Sequence, residues 1–196
     1  MARRDPIFTP ELIKVIKIFG FASVGIVLVF SFFNEYRADN TGDAEVTHIT
    51  DASRLYFKNV RQIYYKIERR DDAKVDIFRY SRNSNDKKLL FLNLSIILSR
   101  IKNEAYIFVE PSEALEKLEE IEIRWKNQSS QKQGELYFRF GDRFTHYDFV
   151  SKLAPLIEEN IDFEVKFDQE WQPILVAEKE RFAFKVTAED YFRLVE

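Results

Sequence analysis

The hydrophobic pattern changes character along the chain. Residues 18–33 (IFGFASVGIVLVFSFF) are sixteen consecutive positions without an ionisable side chain. No polar stripe can be drawn through them at a period of 3.6 residues, which an amphipathic helix of a soluble domain would show. The run therefore predicts a membrane-spanning helix. Eleven of its residues carry the apolar surface: Ile18, Phe19, Phe21, Val24, Ile26, Val27, Leu28, Val29, Phe30, Phe32 and Phe33. Each is worth about −0.3 to −0.6 kcal/mol near a helix centre, so together they favour insertion by roughly 3 to 7 kcal/mol. Thr9 and Pro10 resemble an N-cap and first helical position, which starts the helix at 10 and carries it to 36. Lys17 snorkels to the headgroups on its apolar stem.

Arg3, Arg4, Lys14 and Lys17 precede the run and only Arg37 follows closely. That bias places the amino terminus in the cytoplasm and the rest outside it. The exit lacks the small residues of a cleavage site, so the segment reads as an uncleaved signal-anchor of a bacterial inner membrane protein. The expected organisation is a cytoplasmic segment 1–9, a single-pass helix 10–36, a polar tether 37–45 and a periplasmic or otherwise extracytoplasmic domain 46–196.

Beyond the tether the period shortens to two. Residues 53–67 place 55, 57, 63, 65 and 67 on one alternating face, and their Tyr, Phe, Ile and Val favour a bent strand over a helix through Val60, Ile63, Tyr64 and Ile67. Residues 69–73 are a turn into a strand at 74–80. After a polar loop at 81–88, residues 89–98 (LLFLNLSIIL) put Leu90, Leu92, Leu94, Ile96 and Leu98 on one face, as a central core strand does, and 106–110 returns beside it. A short helix is expected at 112–120, strands around 121–125 and 136–140, and a helix at 145–160 capped by Thr145 with Asp148, broken near Pro155. A strand at 161–167, a loop at 168–173, a strand at 181–186 and a helix at 187–195 capped by Thr187 and Asp190 complete it. The expected fold class is α+β: one N-terminal transmembrane helix, then a single mainly antiparallel β-rich domain with two or three short helices.

Composition narrows the chemistry. The chain is cysteine-free, so disulfides, thiolate metal sites and cysteine nucleophiles are excluded. The net charge of −3 comes from intermixed acids and bases, which disfavours nucleic acid as a partner. The two histidines, His48 and His146, stand about 100 residues apart with no paired ligand at metal spacing, so no metal and no cofactor is expected. Acid–base chemistry is most plausible at Asp142, His146 and Asp148, while the carboxylate pairs Asp71-Asp72 and Glu119-Glu120 read as solvated surface. The expected reading is a capping carboxylate and an exposed first-turn histidine, and no nucleophile or phosphate-cradling glycine loop accompanies them.

Aromatic content is high, with nineteen Phe, nine Tyr and two Trp. Tyr56, Tyr64, Tyr80 and Trp171 fall opposite the aliphatic strand faces or in loops, and are the expected partner contacts. These features point to a non-enzymatic accessory or scaffolding subunit of a larger integral membrane complex, anchored in the lipid bilayer. The alternative is an envelope module that binds glycan or peptidoglycan.

Overall fold

The computed structural model describes residues 10–32, 46–86, 89–157 and 161–196, with side chains of the first segment described to residue 27. The chain divides into two units, Met1–Gly42 and Asp43–Glu196. In the first, α1 (Pro10–Phe32) is a helix of 23 residues, about 34 Å long. Pro10 opens it, where the missing N–H costs nothing. Its first two turns carry Glu11, Lys14 and Lys17, and among the described residues no helix is long and apolar enough to cross a membrane. Leu28, Val29, Phe30 and Phe32 lie in the stretch of α1 whose side chains are not described. Phe33, the tether and residues 1–9 lie outside the described residues.

The second unit is α+β, with two four-stranded antiparallel sheets. β1 (Tyr65–Arg70), β2 (Val75–Tyr80), β3 (Leu92–Ser99) and β4 (Ala105–Pro111) form a meander in that spatial order. Leu92, Leu94, Ile96 and Leu98 of β3 are all buried, as their alternation predicts, and β3 lies between β2 and β4. β5 (Glu120–Asn127), β6 (Gln133–Arg139), β7 (Ile161–Phe167) and β8 (Glu170–Ile174) form the second sheet in the order β6-β5-β7-β8. Its apolar face presents Ile121, Ile123, Phe138, Phe163, Val165 and Ile174 to the core. The opposite face carries cross-strand ion pairs, Glu122 with Lys166 and Arg124 with Glu164.

Helices cover and join these sheets. α5 (Glu178–Val195) packs on β3 and β4, and buries Ala183, Phe184, Thr187, Ala188, Tyr191 and Leu194 along one stripe. α4 (Arg143–Leu153) contacts β4 of one sheet and β6 of the other, so a single helix links both into one hydrophobic core. α2 (Asp51–Tyr56) and the four-residue α3 (Glu113–Glu116) complete the set among the described residues.

Several elements differ from the sequence expectation, each for a physical reason. Residues 53–64 are not strand. They form α2, a π-helical turn at Phe57–Arg61 and a 3-10 turn at Gln62–Tyr64 before β1 begins. The N-terminus of α2 is closed by a capping box in which the Thr50 and Ser53 side chains satisfy each other's backbone N–H groups,. Residues 170–173, part of the expected loop, belong to β8, which pairs with β7 through a two-residue turn at Asp168 and Gln169, both at positive φ,. Pro173 is tolerated there because β8 is an edge strand. Residues 181–186 belong to the helix α5. Thr187 and Asp190 are inside that helix rather than caps, and the Thr187 hydroxyl donates to Ala183 C=O. α4 is capped by Asp142, not Thr145, and Pro155 sits in the 3-10 turn that ends it.

Candidate protein-binding surface

The π-helical turn, β1 and α5 meet at a buried carboxylate. Asp190 is 5% exposed, and a bare buried carboxylate would be costly. Arg61 Nε donates to its Oδ1 at 2.8 Å and Tyr65 Oη donates to its Oδ2 at 2.7 Å. The hydrogen bond to Asp190 raises the Arg61 pKa above its ordinary value. Burial, then the neighbouring carboxylate, pushes the Tyr65 phenol up, so it remains a donor. The clamp fixes the turn that displays Ile63 and Tyr64. Ser53 Oγ donates to Leu194 C=O at 2.8 Å and Arg193 reaches the Tyr56 hydroxyl at 3.2 Å, so α2 is tied to the far end of α5.

Around this clamp lies an apolar surface. Ile63 is 72% exposed, Phe182 50% and Tyr64 45%, and isolated exposure of that degree is ordinary while contiguity is not. These three join Tyr80 and Val186 around a groove of about 400 Å³, with Arg61, Arg82 and Ser81 at its margin. The lining holds two guanidinium groups and no carboxylate. Arg61 is matched by Asp190, while Arg82 has no ion-pair partner among the described residues. A chain of ring contacts runs inward from Phe182 through Tyr80 and Tyr65 to Phe78 and Phe57. The groove floor therefore rests on the aromatic part of the core.

The expected contact residues separate. Tyr56 and Tyr64 are exposed on this side, Tyr56 at the α2 end and Tyr64 in the groove wall. Tyr80 is buried: it pairs with Tyr65 in register and forms the floor beneath the others rather than a free contact. Trp171 lies in the other sheet, half-buried, with the Arg124 guanidinium 4.3 Å from its ring centroid. Ile63 and Phe182 were not singled out by the sequence. The helical spacing of Val60, Ile63 and Tyr64 was the signal for the first, and the i,i+4 pair Phe182 and Val186 for the second.

Asp142, His146 and Asp148 each have a separate partner. Asp142 accepts from the backbone N–H groups of Phe144 and Thr145, which hold its carboxyl below the usual range. Asp148 pairs with Lys152 at 2.7 Å. His146 is buried, not exposed, and its Nδ1 accepts from Val109 N–H at 3.0 Å. β4 is an edge strand, so the imidazole satisfies an amide that the sheet leaves unpaired. His48 is exposed beside Glu104 in an isolated bridge. Among the described residues no group of three or more His, Asp or Glu is placed to hold a metal ion.

Comparison with known proteins gives no matching family model, no matching curated protein and no matching solved structure.

Proposed function

We propose that this chain is a non-enzymatic, membrane-anchored accessory or scaffolding subunit whose α+β domain docks a protein partner through the Ile63–Tyr64–Phe182 groove. The observation that carries the docking reading is the groove itself. A protruding apolar cluster over an aromatic floor, with Arg82 at its margin free of ion pairs among the described residues, suits a partner segment that offers apolar side chains beside a carboxylate. The anchoring reading rests on the amino-acid sequence. The uncharged run continues to residue 33, and Arg3, Arg4, Lys14 and Lys17 orient it with the domain on the extracytoplasmic side of a bacterial inner membrane.

Affinity purification of the tagged native chain in mild detergent tests both parts. The expected outcome is a membrane-fraction protein that brings down a stoichiometric integral-membrane partner, released by Ile63→Asp. Purification of the chain alone and monomeric would overturn the subunit reading, and recovery in the high-speed supernatant without detergent would overturn the anchor.

A further inference from the structure

Four strands form the edges of the two sheets, and three of them have features that oppose further pairing. β1 has charged side chains at four of its six positions. β4 has its Val109 N–H taken by His146 of α4, and β8 carries Pro173, which has no N–H to offer,. β6 differs. It lies at the edge of the second sheet, pairs only with β5 and contains no proline. Its residues Gln133, Glu135, Tyr137 and Arg139 are all exposed.

The direction of its free backbone groups follows from the hairpin. Asn127 N–H donates to Lys132 C=O at 2.8 Å, and hydrogen-bonded pairs alternate along an antiparallel ladder. Through the register that sets Trp125 beside Gly134 and Ile123 beside Leu136, the even-numbered residues of β6 bond to β5. The amides and carbonyls of Gln133, Glu135, Tyr137 and Arg139 therefore point outward, and no strand among the described residues meets them. Their side chains share the open face of the sheet, opposite the core-facing Leu136 and Phe138.

We propose that two copies of this chain associate through β6, antiparallel and two-fold symmetric, so that their second sheets join edge to edge. A two-fold pairing through the outward groups centres on one residue near the middle of β6. Centred on Glu135 or Arg139, it sets like charges face to face on the axis. Centred on Leu136 or Phe138, it leaves both ions opposite uncharged residues. Centred on Tyr137, it brings Glu135 of each copy opposite Arg139 of the other, and Tyr137 meets its own counterpart. The same register puts Leu136 opposite Phe138 on the core side, and Phe140, 37% exposed, opposite Gly134. It forms about six backbone hydrogen bonds, two for each facing pair of outward residues. Arg139 holds Glu120 at 3.4 Å while its side chain stays 74% exposed, which leaves room for a second carboxylate. β6 shares no residue with the docking groove, and the failure of either assignment leaves the other standing.

Sedimentation equilibrium of the full chain in a density-matched detergent tests this. The wild type is expected to be a reversible dimer. Glu135→Arg and Arg139→Glu each set like charges opposite one another in both halves of the contact, and each is expected to weaken the dimer at least about tenfold. Mixed in equal amounts, the two variants are expected to associate as the wild type does, because every facing pair is again opposite in sign. The chain is cysteine-free, so Tyr137→Cys places a lone thiol on the axis. Facing Cα atoms of a bonded pair stand about 5.5 Å apart, within disulfide reach, and mild oxidation is expected to give a covalent dimer. All three positions are exposed, and a melting curve of each variant shows that it is folded. A wild type that stays monomeric at about 100 μM overturns the inference. So does a dimer indifferent to either charge reversal, a mixture of the two variants that fails to associate, or a Tyr137→Cys variant that does not cross-link.

Discussion

The imidazole of His146 accepts from Val109 N–H through Nδ1, and only the neutral ring can do so. Burial lowers its pKa from the ordinary value, opposed by the nearby Asp142 charge. The unfolded chain therefore takes up a proton at a pH where the folded chain does not, near 6.5 and below,. Stability from this site is complete above that pH and declines as the pH falls toward the lower folded value. Denaturant midpoints are expected to drop between pH 7.5 and 5.5 in the wild type, and His146→Gln is expected to flatten that part of the dependence. The same variant should cost about 1–3 kcal/mol at pH 7.5 if Val109 N–H is left unpaired. At Asp190, removal of the carboxylate by Asp190→Ala is expected to cost about 3–5 kcal/mol, because Arg61 and Tyr65 Oη lose their shared acceptor in a buried setting. Urea unfolding measures it. Gly134→Val places side-chain atoms where the Trp125 ring already lies, and a loss of about 1–3 kcal/mol with altered tryptophan emission is expected.

At the scale of elements, α2 is held mainly by its ends. The Thr50–Ser53 capping box closes one, and Arg54 donates to the carbonyls of Ser99, the last residue of β3, and of Lys102. Thr50→Ala is expected to cost about 1 kcal/mol, read as a lowered melting midpoint. Strands were legible wherever one face is core and the other is more open, as in β5 and β7, because alternation then follows directly from burial. The same logic misled at residues 53–64 and 181–186. In the first stretch only Phe57 is buried, so burial imposes no period and β-branched and aromatic residues alone suggested strand. In the second, RFAFKV alternates by coincidence: Phe184 faces the core while Phe182 faces the groove. β8 was hidden by Pro173, whose missing N–H matters only in an interior strand.

For the whole molecule, the proposed docking surface joins parts far apart in the chain, the turn at 62–64, the end of β2 and the second turn of α5. Tyr64 was accessible to sequence reasoning as an aromatic off the aliphatic face, but Phe182 gains its meaning only when α5 crosses that turn. The variant Ile63→Asp/Phe182→Ser alters exposed side chains, so its stability is expected to stay within about 0.5 kcal/mol of wild type while partner recovery is lost. A melting curve beside the pull-down separates lost binding from lost folding.

β1 forms an open border of its sheet, and after Tyr65 every one of its side chains meets water. Lys66, Glu68, Arg69 and Arg70 crowd that border, with Arg70 also tied to Asp72 and Glu68 to Arg79. A neighbouring copy could add its own strand only by stripping hydration from four ionic groups and displacing their local counter-ions. Even when many copies are packed side by side, this border of the first sheet is thus guarded against taking on a neighbour's strand.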